Sequence, residues 1–310
     1  MGFWSGYFQS LKPLSVEEPI DVWVHRPIAY VLAKALMPTP ITPNLVTLGS
    51  IVLGLASGWA YFAPVPHHMQ MAGAFLFSSA VFDCADGQLA RMRKSSSRLG
   101  RMLDGVADLV VTTVAVAGAI WVLYQRHHGT PLETALVLAM AGATTVTGSF
   151  HTTMYDHYKN VYLRLTTPSY REGEDFETAL ARYRDMPKEE SSFGARLAWP
   201  VYLFYVKSQQ DYMQRFDPFT APRISALPEY DETRARIYEK HAASAMRLWR
   251  GFFGFGSLVF GIALASMLDV LEVYMVLRLV VQNAVYYGYL RPAQRRASAE
   301  AFREMGVTFA

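Results

Sequence analysis

The chain has 310 residues, of which 18% are charged and 52% hydrophobic, and its mean hydropathy is positive. A soluble domain carries about 25% charged residues, and several apolar runs here reach the roughly 18 to 20 residues that cross a bilayer, so an integral membrane protein is expected. The net charge of +3 is too small to suggest a nucleic-acid partner, and the single cysteine, Cys84, excludes an internal disulfide or a CxxC metal site.

Residues 1–18 are aromatic and polar and read as a surface segment. They lack a charged stretch followed by an apolar core, so no cleavable leader is expected, and Gly6 stands where a myristoylation site needs Ser or Thr. Ile20 to Met37 spaces its apolar residues as an amphipathic helix lying in the membrane interface, with Trp23, His25, Arg26 and Lys34 near the headgroups. After the breaker PTPITP, apolar runs predict six transmembrane helices: 44–63, 69–92, 99–124, 132–154, 244–268 and 269–289.

Arg91, Arg93, Lys94, Arg98 and Arg101 crowd the second connection without an acidic residue, which makes that loop cytoplasmic. An even number of spans then leaves both termini on the same side. The fourth helix is rich in small residues that permit close helix contact, and His151 near its end reads as a headgroup-level histidine. Residues 155–243 turn charged and contain no spanning run, so a cytoplasmic insertion of amphipathic helices is expected. The division is thus an N-terminal segment (1–43), helices one to four (44–154), the insertion (155–243), and helices five and six with a basic tail (244–310). The sixth helix carries Arg278, Gln282 and Asn283; an arginine inside a membrane is costly, and Arg278 is a candidate phosphate ligand.

The most informative stretch is DCADGQLARMRKSSSRLGRMLDGVAD, residues 83–108. Asp83 and Asp86 stand at i, i+3, and Asp104 and Asp108 at i, i+4, so each pair shares one face of a helix. Apolar runs flank both pairs. Four carboxylates brought together by two apolar helices imply a divalent cation, and hard oxygen ligands suit Mg²⁺, Mn²⁺ or Ca²⁺. Gly87 and Ala90 lack bulk, so a ligand can lie against the helix there, while Arg91 offers a planar fork suited to phosphate oxygens. Cys84, between two of the aspartates, reads as a small packing residue.

This stretch resembles the signature of the CDP-alcohol phosphotransferase family, D-x2-D-G-x2-A-R-x8-G-x3-D-x3-D. Asp83, Asp86, Gly87, Ala90, Arg91, Gly100, Asp104 and Asp108 meet every fixed position. The resemblance implies that the four aspartates hold two Mg²⁺ ions, with Mn²⁺ as an alternative, and that Asp108 is the general base for the acceptor hydroxyl. It also implies that Gly87, Ala90, Arg91 and Ser97 contact the donor, and that Asn44 and Thr47, opening the first helix, help hold its nucleotide end. The expected reaction transfers a substituted phosphate from a CDP-linked donor to an alcohol and releases CMP. CDP-diacylglycerol with a small polar acceptor is favoured over CDP-choline or CDP-ethanolamine with a lipid alcohol. Membrane lipids, and a second copy of the chain by analogy with the family, are the expected partners; the expected site is the cytoplasmic face of a bacterial or archaeal membrane. A membrane prenyltransferase would need a second Asp-rich motif on a distant helix, which is missing. A cation transporter would place its carboxylates at mid-membrane rather than beside a basic turn.

Overall fold

Helices provide all the regular structure in the computed structural model, which describes residues 3–11, 13–95, 98–168, 170, 175–185, 193–217 and 226–307. Two compact units emerge: Met1–Ser149 with Gly251–Asn283, and Phe150–Arg250 with Ala284–Ala310.

In the first unit, α1 (Phe3–Gln9), a π-helical turn (Asp21–His25) and α2 (Arg26–Leu36) precede α3 (Pro43–Phe62), α4 (His68–Met92) and α5 (Arg98–Arg126). Pro43 sits at the first helical position of α3, where its missing N–H costs nothing, and Thr42 caps the helix by accepting from the Leu45 N–H at 3.4 Å. Helix α4 is central, packed against α2, α3 and α10 (Phe255–Met267). Small residues make this packing tight. A Cβ on Gly73 would lie 2.8 Å from the Met267 backbone nitrogen and against the Ala263 carbonyl, so α4 and α10 approach backbone to backbone. Hydroxyls tie the helices through carbonyls: Ser57 donates to Ala72 at 2.8 Å and Ser79 to Ser50 at 2.7 Å. Such close contacts and interhelical hydrogen bonds hold the helices together.

The N-terminal segment keeps Trp4, Phe8 and Leu14 exposed but is anchored by buried residues. Tyr7, Val16, Glu17 and Glu18 are buried, and the Tyr7 hydroxyl donates to the Val22 carbonyl. Glu18 accepts from the Gly256 N–H at 3.0 Å and from the Ser257 N–H and hydroxyl, each at 2.8 Å, satisfying the free amides at the start of α10. Gly254 has no Cβ because one would collide with that carboxylate. Burial first, and then the neighbouring Asp21 carboxylate, push the Glu18 carboxyl up from its ordinary value. Trp23, Ile28, Val31 and Lys34 face outward as an interfacial helix requires, but His25 and Arg26 turn inward. The ring of His25 packs between Phe77 and Phe260, and Arg26 pairs with the buried Glu17 at 3.0 Å.

Among the described residues, three stretches are long and apolar enough to cross a membrane: Pro43–Phe62, Leu103–Arg126 and Glu232–Met267. The last is not the single fifth helix expected, because the chain bends at Phe253 and Gly254 between α9 (Glu232–Phe252) and α10. Asp269, in the left-handed region at φ 58°, turns the chain into the next segment. That segment is no regular α-helix: α11 (Leu271–Val276) passes into a π-helical stretch (Leu277–Gln282), then α12 (Asn283–Val285) and a second π-helical stretch (Tyr286–Leu290). The C-terminal residues beyond it form α13 (Arg291–Glu304).

Helix α6 (Pro131–Thr166) runs unbroken past the position where the sequence changes character. In the second unit, α7 (Phe176–Arg184) packs on α8 (Phe193–Phe216), while the end of α6, α9, the second π-helical stretch and α13 bring together the buried rings of Tyr158, Tyr238, Trp249, Tyr286 and Phe302. His151 belongs to this core. It is fully buried, its ring 4.8 Å from that of Tyr286. Buried Asp217 accepts from Tyr158 at 2.9 Å and from Ser298 at 3.0 Å, joining the end of α8 to α6 and α13.

Candidate metal and nucleotide site

The helical period does what the sequence spacing implied. Asp83 and Asp86 share one face near the C-terminal end of α4, and Asp104 faces them from the start of α5. Carboxylate oxygens of these three lie within 4.8 Å of one another. Asp108 follows one turn later on α5. Four mutually repelling carboxylates half-sheltered from water are an unfavourable arrangement by themselves. One oxygen of Asp83 is buried and accepts no hydrogen bond. The donor set is all hard oxygen. Both facts fit divalent cations such as Mg²⁺, which these aspartates would hold.

Thr47 lies near the start of α3, against the acidic cluster. It is buried, and its hydroxyl donates to an Asp86 carboxylate oxygen at 2.5 Å, so it orients an acidic side chain. Asn44 is exposed on the first turn of α3. Gly87 lies beneath the Arg91 guanidinium, since a Cβ there would be 3.3 Å from Nη1. Ala90 is half-buried beside them. Ser97 lies outside the described residues.

Arg91 is held from a direction that the sequence does not reveal. Its Nε donates to the Ser10 carbonyl at 2.6 Å, while the Gln88 amide donates to the Ser10 hydroxyl at 3.0 Å. Nη2 of Arg91 is buried without a partner among the described residues. The N-terminal segment therefore fixes the stem of the arginine. Arg93, by contrast, is committed to structure: it donates to the carbonyls of Leu36 at 2.6 Å, Thr39 at 2.8 Å and Ile41 at 2.5 Å, clamping the turn before α3. Buried Arg278 sits on the first π-helical stretch, its guanidinium 5.9 Å from the Tyr274 ring centroid, and a Cβ on Gly148 would be 3.1 Å from its Nη2. Its Nε and Nη2 have no hydrogen-bond partner among the described residues. A cleft of about 270 Å³ opens among Tyr61, His68, Trp121 and Arg126, at the opposite ends of these helices, and none of the four aspartates borders it.

Comparison with known proteins converges on the same stretch. A family model described as CDP-alcohol phosphatidyltransferase matches residues 40–166. The chain is 29% identical over 109 residues to a phosphatidylinositol phosphate synthase of Mycobacteroides abscessus, covering 35% of this chain and 49% of that one. Against the phosphatidylinositol phosphate synthase of Corynebacterium glutamicum it is 30% identical over 117 residues, 37% and 52% of the two chains. A shorter match, 45% over 58 residues, links it to the CDP-diacylglycerol–serine O-phosphatidyltransferase of Saccharomyces cerevisiae, over 18% of this chain and 21% of the yeast one. The chain spans about half the length of the two synthases. The matched region contains α3, α4, α5 and the carboxylate cluster, and the family transfers substituted phosphate groups. Residues 40–166 are a CDP-alcohol phosphatidyltransferase domain.

Proposed function

We propose that this protein is an integral membrane enzyme of phospholipid synthesis that transfers a phosphatidyl group from CDP-diacylglycerol to a small polar alcohol and releases CMP. The observation that carries this reading is the convergence of Asp83, Asp86 and Asp104 at the meeting of α4 and α5, inside the matched region. The relatives support the donor, since one of them is named for CDP-diacylglycerol and serine and two for phosphatidylinositol phosphate. The membrane setting rests on the apolar stretches and on the family; six spans, with the basic turn after α4 and both termini in the cytoplasm, complete the proposed topology.

In this reading Asp83, Asp86, Asp104 and Asp108 hold two Mg²⁺ ions. Bound there, the ions neutralise the diphosphate and the departing CMP. The chain's own residues do the rest. Asp108 accepts the proton of the acceptor hydroxyl, whose oxygen attacks the phosphorus bearing the lipid. The bond from that phosphorus to the bridging oxygen breaks, and CMP leaves with the bridging oxygen. The fork of Arg91 binds the diphosphate where Gly87 leaves room, and Thr47 keeps Asp86 in position. Arg278, with free donors in a buried setting, is the proposed contact for an acidic acceptor such as a sugar phosphate. The test is product analysis by mass spectrometry, offering the purified protein CDP-diacylglycerol or CDP-ethanolamine with serine, inositol phosphate and diacylglycerol. A phosphatidyl product and CMP from CDP-diacylglycerol alone are expected. Turnover of CDP-ethanolamine alone would overturn the donor assignment.

A further inference from the structure

A second cluster of ligating groups lies outside the aspartate set. The π-helical turn Asp21–His25 sets two side chains on one face, with Asp21 Oδ1 2.8 Å from His25 Nδ1. Cys84, on the neighbouring α4, presents its thiol to them, and ligand atoms from all three residues lie within 4.8 Å of one another. His25 is only 1% exposed, and its Nε2 has no hydrogen-bond partner although the ring is fixed between Phe77 and Phe260. A cation seated between Asp21 Oδ1 and His25 Nδ1 would take the place of the proton they share, with Cys84 as the third ligand and the imidazole already fixed for it.

We propose that Asp21, His25 and Cys84 form a second metal site, selective for a borderline divalent ion such as Zn²⁺. A thiol and an imidazole together favour such an ion over Mg²⁺, which prefers the all-oxygen set of Asp83, Asp86 and Asp104. Binding exchanges the thiol proton of Cys84, released to solvent, for a metal–sulfur bond. Arg26 stands near the thiol, but Glu17 pairs with it at 3.0 Å, so the local charge does not repel a cation. A bound ion would pin the N-terminal turn to α4 one residue from Asp83. It would thereby couple the N-terminal segment to the position of the acidic cluster.

The test uses the reduced, detergent-purified full chain, kept in excess Mg²⁺ so that the oxygen site is filled, and titrated with Co²⁺. The site predicts a saturable near-ultraviolet thiolate-to-cobalt absorbance that Zn²⁺ abolishes. Cys84→Ser should remove the band, His25→Gln should weaken Co²⁺ binding on the order of 10- to 100-fold, and Asp104→Asn should leave the band in place. Zn²⁺ should also raise the thermal midpoint of the wild type but not of Cys84→Ser. Absence of the band in folded wild-type protein, or its survival in Cys84→Ser, would overturn the proposal. The readout is independent of CMP release, so it stands or falls separately from the proposed reaction.

Discussion

At the scale of single residues, the arrangement around Asp86 makes the clearest demand. The Thr47 hydroxyl donates to that carboxylate at 2.5 Å, with the Pro43 carbonyl a more distant acceptor at 3.2 Å, and both Thr47 and Asp86 are buried. Thr47→Val keeps the shape and removes the donor, so the Mg²⁺ concentration for half-maximal CMP release should rise on the order of 10- to 100-fold, with Thr47→Ser restoring most of the loss. A metal titration of the two variants checks this. Arg91 makes a second demand. Its Nε is committed to Ser10, and only a planar guanidinium can hold that bond while presenting a fork to a diphosphate. Arg91→Lys should therefore weaken the donor (a higher KM for CDP-diacylglycerol) far more than the charge-conserving change suggests.

At the scale of elements, close approach and burial decide the outcome. Helices α4 and α10 touch at Gly73, where an added methyl meets backbone atoms of Ala263 and Met267 that cannot swing aside. Gly73→Ala should lower stability by about 1–3 kcal/mol, read as a drop in the thermal midpoint, with the metal cluster's ligands unchanged. Helix α6 carries the pH dependence. His157, beyond the span read for that helix, is 3% exposed, and burial lowers its pKa from 6.5 to about 4 against the opposing pull of Asp217, Asp156 and Asp175. The unfolded chain then binds a proton before the folded one does. The stability contribution is full above pH 6.5 and is lost as the pH falls toward 4, amounting to about 2 kcal/mol by pH 5. Denaturation midpoints of wild type and His157→Gln across that range test the sign: the variant should show the shallower fall.

At the scale of the whole molecule, what could be read in advance followed from local periodicity. The four aspartates were legible because they sit on two consecutive helices, where i, i+3 and i, i+4 spacing alone sets the face. Helices α3, α4 and α5 followed from apolar runs between clear breakers. What stayed hidden depended on contacts distant in sequence. Nothing near Arg91 announces that Ser10, 81 positions earlier, anchors it. His25 and Arg26 look interfacial until Glu17, Phe77 and Phe260 enclose them. The segment after α10 satisfied apolar composition, yet buried Arg278 and the π-helical stretches break its regularity, which no residue count reveals.

The most direct test of the whole account is CMP release from CDP-diacylglycerol by the purified protein, measured with Mg²⁺, with EDTA, and with Asp108→Asn in Mg²⁺. The arrangement predicts release in the first case only, with Asp108→Asn retaining much of its affinity for the donor, because Asp83, Asp86 and Asp104 still converge without it. Undiminished release in EDTA would contradict the metal-dependent mechanism, and undiminished release by Asp108→Asn would remove Asp108 as the base.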